Sequence, residues 1–304
     1  MMSQDLKPDP TVIGAVSAPP FAVLPDPARL FGVRAKRLRT YAAVSPLKPY
    51  LDFVAGLIEA QQAIVPTLPP VEAPAPEKLE RVRAFEMPAL ERATTLLDDT
   101  LEATLDQLFD AAARVPMPEE AAAALTRVRL ADGPVRAQMV RDVLAHDLPV
   151  ERLAEHVYVA AGLQVHFARR AAALEAKKLV PVGDGVCPCC GGPPVASLIV
   201  EWPNAHGNRF CACSLCSTLW HYVRIRCCAC GTTKGIGYQE IEGSPGTVKA
   251  ETCDECHTYV KVMYQNKDVT IEPVADDIGT LGLDLMMRQG PYRRAAFNPF
   301  LLGY

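Results

Sequence analysis

The chain has 304 residues, of which 49% are hydrophobic and 22% are charged, and its formal net charge at pH 7 is -4. This length and apolar content favour two domains. The slightly acidic balance supplies no overall basic field, which argues against a general nucleic-acid-binding protein.

The chain shows no sign of export or of a membrane anchor. Its first ten residues, MMSQDLKPDP, contain no basic stretch followed by an apolar run. No apolar segment approaches the roughly 18 residues that a membrane span requires. We therefore expect a soluble, cytosolic protein.

Residues 1–180 are predicted to form an all-helical domain, a helical bundle. Apolar residues recur at helical spacing in three segments, 46–65, 88–115 and 149–176. Between the first two lies the proline-rich stretch 67–80. We predict an exposed connection there, because prolines cannot continue a helix.

After residue 180 the pattern changes to short β-prone segments. In residues 218–226, alternation places Trp220, Tyr222, Arg224 and Arg226 on one face of a predicted strand. Strands this short bury little apolar surface, so small modules of this kind usually need metal or disulfide cross-links. The predicted strands are residues 197–202, 208–213, 218–226, 236–241, 247–252 and 258–265.

The cysteines are candidates for these cross-links, because all 11 lie at or after Cys187. An odd total fits a disulfide framework poorly, and grouped cysteines in a reducing cytosol are more often metal ligands or redox groups. Eight of them form four Cys-x-x-Cys pairs, a spacing that aims two sulfurs inward from one tight turn. The predicted metal ligands are Cys187, Cys190, Cys213, Cys216, Cys227, Cys230, Cys253 and Cys256.

The four pairs form an internal repeat of 40 residues, since Cys187 corresponds to Cys227 and Thr218 to Thr258. The repeat favours two tetrathiolate sites in which the first pair joins the second and the third joins the fourth. A cross-braced arrangement, in which the first pair joins the third, is the alternative. The predicted architecture is α+β: a first metal ribbon at 181–226, a second at 227–275, and a C-terminal helix and tail at 276–304.

Three cysteines have no counterpart in the repeat: Cys189, Cys211 and Cys228. We do not expect them to be ligands. They are either packed thiols or a reactive thiol, and the sequence contains no signal that decides between these roles.

A site of four sulfurs suits zinc, a single iron ion or an iron-sulfur cluster. The turns that contain Cys190 and Cys230 resemble rubredoxin knuckles, because glycine follows the second cysteine. The other two turns continue with Ser217 and His257 instead. The choice between iron and zinc is therefore open at this point.

Three functional classes can be compared on these residues. Two closed four-sulfur sites leave no open coordination position, so we do not expect an enzyme. A nucleic-acid-binding zinc ribbon is disfavoured because residues 187–274 contain seven Lys or Arg and eight Asp or Glu, a net of 7 - 8 = -1. A rubredoxin-like electron carrier is the third class, although a helical half is superfluous for that task alone.

The motifs also resemble a known family. The runs CSLCSTLWHYVRIRCCAC, KAETCDECHTYVKVMYQNKD and VADDIGTLGLDLMMRQGPYRR, with NPFLL near the end, are similar to the formate dehydrogenase accessory proteins called FdhE. The resemblance covers almost all of residues 187–302, and the segment DPARLFGVRAKRLRTYAAVSPLKPYLDFVAGLIEAQQ resembles the more variable helical half.

This resemblance implies a cytoplasmic accessory protein that is required for an active formate dehydrogenase and does not turn over formate itself. It implies iron at the eight paired cysteines, with zinc as the other candidate, so two metal ions per chain are expected. The implied partner is the formate dehydrogenase catalytic subunit, and no nucleic acid is expected. Aromatic and arginine side chains are common interface anchors, so Trp220, Tyr222, Arg224 and Arg226 are the candidate partner-binding residues.

Overall fold

The structure, a computed structural model, describes residues 18–301. The fold is α+β, with helices in the N-terminal half and a β-sheet that contains the cysteines. The sequence MMSQDLKPDP, in which no export signal is expected, lies outside the described residues, as do residues 302–304 of the predicted tail.

Three helices of the N-terminal half begin at an aspartate that caps free backbone N–H groups. Asp26, Asp98 and Asp132 each accept a hydrogen bond from a backbone N–H in the first turn of the helix that follows. The bounds are α1 Pro27–Ala42, α2 Lys48–Ile64, α3 Pro76–Ala84, α4 Asp99–Ala112, α5 Glu119–Leu130, α6 Gly133–Ala145 and α7 Leu153–Ala172.

Two of the predicted helices are present as α2 and α7, and α7 is the central helix, buried on most of its surface. The helix predicted at 88–115 is wrong in its first part, because α4 begins only at Asp99. The backbone of the preceding segment instead donates hydrogen bonds from Ala89 to Pro188 and from Leu90 to Cys189. The connection predicted at 67–80 is also too long, since α3 begins at Pro76, and proline is tolerated in a first helical turn.

The described chain forms strands β1 Ala22–Val23, β2 Pro194–Ile199, β3 Arg209–Cys213, β4 Leu219–Tyr222, β5 Ile236–Gln239, β6 Val248–Cys253, β7 Thr258–Tyr264 and β8 Arg293–Arg294. They join into one sheet in the order β1-β4-β3-β2-β7-β6-β5, and β8 pairs with β7. Each 40-residue repeat forms an antiparallel unit, β2-β3-β4 or β5-β6-β7, and the parallel pair β2 and β7 joins the two units.

All six predicted strand segments overlap a strand, but one strand is much shorter than predicted. The strand expected at 218–226 ends at Tyr222, and the chain then turns, leaving Val223 and Ile225 exposed at 53% and 60%. The N-terminal half is not entirely helical either, since β1 pairs with β4. The C-terminal region holds two helices, α8 Pro273–Gly279 and α9 Leu281–Met287.

Buried ion pairs hold these C-terminal helices against the rest of the chain. Lys261 Nζ on β7 lies 2.5 Å from Asp284 Oδ2 and 3.3 Å from Asp277 Oδ1. Arg294 Nη1 and Nη2 each lie 2.5 Å from one of the same two carboxylates. Two cations thus balance two carboxylates away from water, and all four side chains are at most 8% exposed.

Helix α8 is also joined to α1, the first helix of the chain. Arg34 Nη2 lies 3.0 Å from Glu272 Oε1, just before α8. Arg37 Nη2 lies 2.6 Å from Asp276 Oδ1, which also accepts a hydrogen bond from Tyr41. The C-terminal region therefore packs against both the sheet and the helical half.

The buried network gives a stability prediction. Replacing the cation in Lys261→Met leaves Asp277 and Asp284 buried with only Arg294 to balance them. Removing one partner of a buried ion pair is strongly destabilising, so we expect the free energy of unfolding to fall by about 3 kcal/mol. Urea unfolding monitored by tryptophan fluorescence measures this change.

The matched control is Lys48→Ala. Its ammonium lies 2.7 Å from Asp52 Oδ2, but the Lys48 side chain is 62% exposed. Exposed pairs contribute little, so the expected loss is below about 1 kcal/mol. Equal losses in the two variants would contradict a stabilising role for the buried network.

Candidate metal centres

The structure brings the eight paired cysteines together as two groups of four. In each group the sulfur atoms all lie within 4.8 Å of one another. The first centre consists of Cys187, Cys190, Cys213 and Cys216, and the second of Cys227, Cys230, Cys253 and Cys256. The grouping is sequential, as the repeat predicts, and not cross-braced.

The sulfur spacing fits a tetrahedral metal ion. A metal–sulfur bond of about 2.3 Å places the sulfurs of a tetrahedron about 3.8 Å apart. In the first centre the Cys187–Cys216 and Cys190–Cys213 sulfur distances are 3.6 and 3.4 Å. The equivalent distances in the second centre, Cys227–Cys256 and Cys230–Cys253, are 3.8 and 3.7 Å. These four-sulfur groups are therefore suitable for one divalent or trivalent ion each.

The four cysteine turns share one backbone conformation. The residue after the second cysteine is left-handed in each: φ is 71° at Gly191, 60° at Ser217, 75° at Gly231 and 51° at His257. Glycine adopts this conformation without steric cost, whereas Ser217 and His257 adopt it despite the steric cost of their Cβ atoms. The two turns without glycine therefore have the same left-handed residue as the two turns with it.

The same hydrogen bonds recur in the two centres. Gly191 N donates to Cys187 O at 2.9 Å, and Gly231 N donates to Cys227 O at 2.9 Å. Cys216 Sγ lies 3.2 Å from the Thr218 hydroxyl, and the equivalent distance from Cys256 to Thr258 is 3.0 Å. A hydroxyl at this distance can donate to a metal-bound thiolate, which gives a physical reason for a threonine in both repeats.

The two centres differ in exposure. The four cysteines of the first centre are at most 1% exposed. In the second centre Cys227 and Cys253 are buried, but Cys230 is exposed and Cys256 is half-buried.

Arg92 is a charged residue beside the first centre that the sequence pattern does not predict. Arg92 Nε donates to Cys190 O at 2.8 Å, and Nη1 donates to Leu144 O at 2.6 Å. The pKa of the Cys190 thiol lies well below its ordinary value, because neighbouring thiols, Cys187 foremost, donate hydrogen bonds to it and the Arg92 charge lowers the pKa further. Arg92 precedes α4, in the helical half, so the cysteine repeat contains no signal for it.

Gly192 leaves room for the Arg92 guanidinium beside the first centre. A Cβ atom at Gly192 would lie 2.5 Å from Arg92 Nη2 and 3.4 and 3.5 Å from the sulfurs of Cys190 and Cys213. A larger residue there would push the guanidinium away from the centre. In the second repeat the equivalent position is Thr232.

The three cysteines outside the repeat lie outside both four-sulfur groups and are buried. The pKa of Cys228 is raised well above its ordinary value by a hydrogen bond with Cys211 and by burial. A raised pKa keeps a thiol protonated, which favours a packing role over a nucleophilic one for Cys228.

The four candidate partner-binding residues do not share one exposed face. Trp220 and Tyr222 are 2% and 8% exposed, so they belong to the core, whereas Arg224 is exposed. Two of the four support the second centre: Tyr222 donates to Cys227 O at 3.0 Å, and Arg226 Nε donates to Gly231 O at 2.8 Å. The prediction of a common face fails because β4 ends at Tyr222, before the alternation could continue.

The fold and the two sites together define a class of protein, in which a helical half is joined to a β-sheet that contains two four-cysteine metal-binding groups.

Three family models match the chain between residues 19 and 301. FdhE, N-terminal, matches residues 19–184; FdhE, central domain, matches 186–224; and FdhE, C-terminal domain, matches 225–301. The chain belongs to the FdhE family.

Full-length relatives agree with this assignment. The protein FdhE homolog of Rhizobium meliloti (strain 1021) is 47% identical over 306 residues, covering 100% of both chains. The homolog of Stutzerimonas stutzeri (strain A1501) is 35% identical and covers 94% of each chain. The crystal structure of the FdhE protein from Pseudomonas aeruginosa has a TM-score of 0.83 and 32% identity, and covers 94% of this chain and 99% of that one.

A further property concerns membranes. Within residues 18–301, no helix combines the length and the apolar character that crossing a bilayer requires.

The separate grouping of the sulfurs gives a stoichiometry prediction. The double variant Cys253→Ser and Cys256→Ser removes two ligands from the second centre and none from the first. We expect bound metal, measured by elemental analysis of protein purified without oxygen, to fall from about two ions per chain to about one.

The control is Cys211→Ala, which removes a buried sulfur outside both groups and should leave two ions bound. Loss of both ions in the double variant would instead mean that the two centres depend on each other. Loss of an ion in the control would make Cys211 part of a site.

Proposed function

We propose that the chain is an accessory factor required for an active formate dehydrogenase, acting in the cytoplasm on the catalytic subunit before its final assembly. The observation that carries this proposal is the combination of FdhE membership over the whole described chain with two complete four-sulfur groups. Each of the chain's two sulfur groups supplies four ligands and leaves no open position for a substrate, which supports an accessory role over formate oxidation.

Each centre holds one metal ion, and iron is the proposed native metal, with zinc as the alternative. The support for iron is the left-handed residue after the second cysteine of all four pairs, including Ser217 and His257, as in a rubredoxin-like turn. When bound, iron in such a site supplies one-electron redox chemistry, whereas zinc supplies none. The chain's own groups orient the ligands: the backbone N–H groups of Leu215 and Cys216 each donate a hydrogen bond to Cys213 Sγ at 3.4 Å.

The alternatives are less well supported. A nucleic-acid-binding ribbon would need cations free to contact phosphates, but Arg209 is buried with Glu251 and Arg226 is paired with Asp184. A simple electron carrier would not need the seven α-helices that lie between β1 and β2 in the described chain.

A genetic experiment tests the accessory role. In a strain whose gene for this chain is deleted, we expect formate dehydrogenase activity to be lost, and the wild-type gene to restore it. The Cys227→Ser, Cys230→Ser double variant should fail to restore it at equal protein level. Undiminished formate dehydrogenase activity in the deletion strain would reject the proposal.

The contact with the catalytic subunit gives a second test. Of the four candidate residues, Arg224 has an exposed side chain and its backbone carbonyl accepts from Arg209 at 3.3 Å, so Arg224→Ala keeps that backbone contact. We expect Arg224→Ala to bind the catalytic subunit about 30-fold more weakly, because truncating an interface anchor costs roughly 2 kcal/mol. Affinity capture of the catalytic subunit measures this change.

The control is Arg141→Ala, an exposed arginine on α6 that contacts Gln138. Capture should be unchanged in this variant, and metal analysis of both preparations should give equal content. Equal capture by the two variants would reject Arg224 as an anchor, and metal loss in Arg224→Ala would indicate a structural role.

A further inference from the structure

The two four-sulfur groups have nearly the same geometry but very different surroundings. We propose that the second centre exchanges its metal ion with chelating groups in solution, while the first centre keeps its ion for as long as the fold is intact. This inference rests on the metal binding of the proposed function, and adds to it a division of roles between the centres.

The helical half covers the first centre at each of its two turns. Leu90 N donates to Cys189 O at 2.7 Å, within the turn that holds Cys187 and Cys190. At the other turn, Gln164 Nε2 on α7 donates to Ser214 O at 2.9 Å, and Arg34 Nη2 on α1 donates to Ser217 Oγ at 2.9 Å.

Several of these contacts are themselves buried. Gln164 and Arg34 are both 0% exposed, and Arg34 is further fixed by Glu272. A chelator can reach the first-centre sulfurs only after the helical half separates from the sheet at these contacts. Such an opening exposes core surface, so its free energy approaches that of unfolding.

The first centre also has a cation beside it. A metal ion with four thiolates would have a net negative charge, and the Arg92 guanidinium, which lies against Gly192 beside the sulfurs of Cys190 and Cys213, would stabilise that charge. This attraction further favours the intact centre over a partly dissociated one.

The second centre lies at the surface. Cys230 is exposed, its neighbour Ala229 is exposed, and in the opposite turn Asp254, Glu255 and His257 are exposed. Strand β5, which follows the Cys230 turn, is an edge strand that pairs only with β6 in the described sheet. Edge strands and exposed turns open at low free energy.

The ligand exchange at this centre needs no change of oxidation state. Cys230 would hold the ion at the exposed side of the centre, and an oxygen or nitrogen of the chelator would replace its sulfur as a ligand. Cys256 is the next accessible ligand, because it is half-buried. The two buried ligands, Cys227 and Cys253, follow.

Zinc-loaded full-length protein provides the test. After addition of excess EDTA, with a zinc-responsive dye to record transfer, we expect release in two phases of equal amplitude. The slow phase should be at least roughly tenfold slower than the fast one, since it requires the larger opening. The Cys227→Ser, Cys230→Ser variant should load about one zinc ion and show only the slow phase.

Thiol alkylation provides a second measurement that does not depend on a variant. Iodoacetamide is added to the zinc-loaded wild-type protein during EDTA treatment, and modified peptides are identified by mass spectrometry. Cys230 and Cys256 should be modified with the fast phase, and Cys187, Cys190, Cys213 and Cys216 only with the slow phase.

The outcomes separate this inference from the proposed function. A chain that holds two zinc ions but releases them in one phase, or that first exposes the first-centre cysteines, overturns the inference and leaves the accessory role intact. A chain that loads no zinc or iron overturns the inference and the metal binding together. Loss of formate dehydrogenase activity on gene deletion is measured independently of both results.

Discussion

The parallel pairing of β2 with β7 is the contact on which the rest of the metal-binding region depends. It aligns Ser197 with Val262 and Ile199 with Tyr264, so the two antiparallel repeat units become one sheet. Because these strands run in the same direction, the cysteine turns that precede β2 and β7 lie at the same end of the sheet. One backbone register thus fixes the position of one centre relative to the other.

The repeat makes the centres alike in their internal chemistry, and the helical half makes them different. Each repeat supplies the same cysteine turns, the same left-handed residues and the same threonine beside a sulfur. The turns of the first centre accept hydrogen bonds from helices α1 and α7 and from the segment before α4. The second centre is supported instead by Tyr222 and Arg226, which come from the end of the first repeat.

Buried charge connects regions that are distant in sequence. Arg34 and Glu272 pair across the interface of α1 and α8, and Lys261 balances two carboxylates beneath α8 and α9. Moving the C-terminal helices away from the sheet would leave these charges buried without a partner, which is strongly unfavourable. The same Arg34 contacts Ser217, and therefore joins this interface to a turn of the first centre.

The sequence by itself determined the features that depend on local spacing. The 40-residue repeat identified the two groups of cysteines, period-two alternation located the strands, and helical spacing located α2 and α7. The strand and helix patterns follow from residues close together in the chain, where backbone geometry fixes which side chains share a face, whereas the cysteine groups follow from a spacing that recurs 40 residues later.

Only the tertiary structure decided which side chains of those elements are buried and which contacts join them. Alternation could not show that β4 ends at Tyr222, nor that Trp220 lies in the core while Arg224 remains exposed. Neither could it place Arg92 beside Cys190, nor distinguish a covered first centre from an open second one. Burial depends on elements that pack from far along the chain, and neither the repeat nor the periodicity encodes those partners.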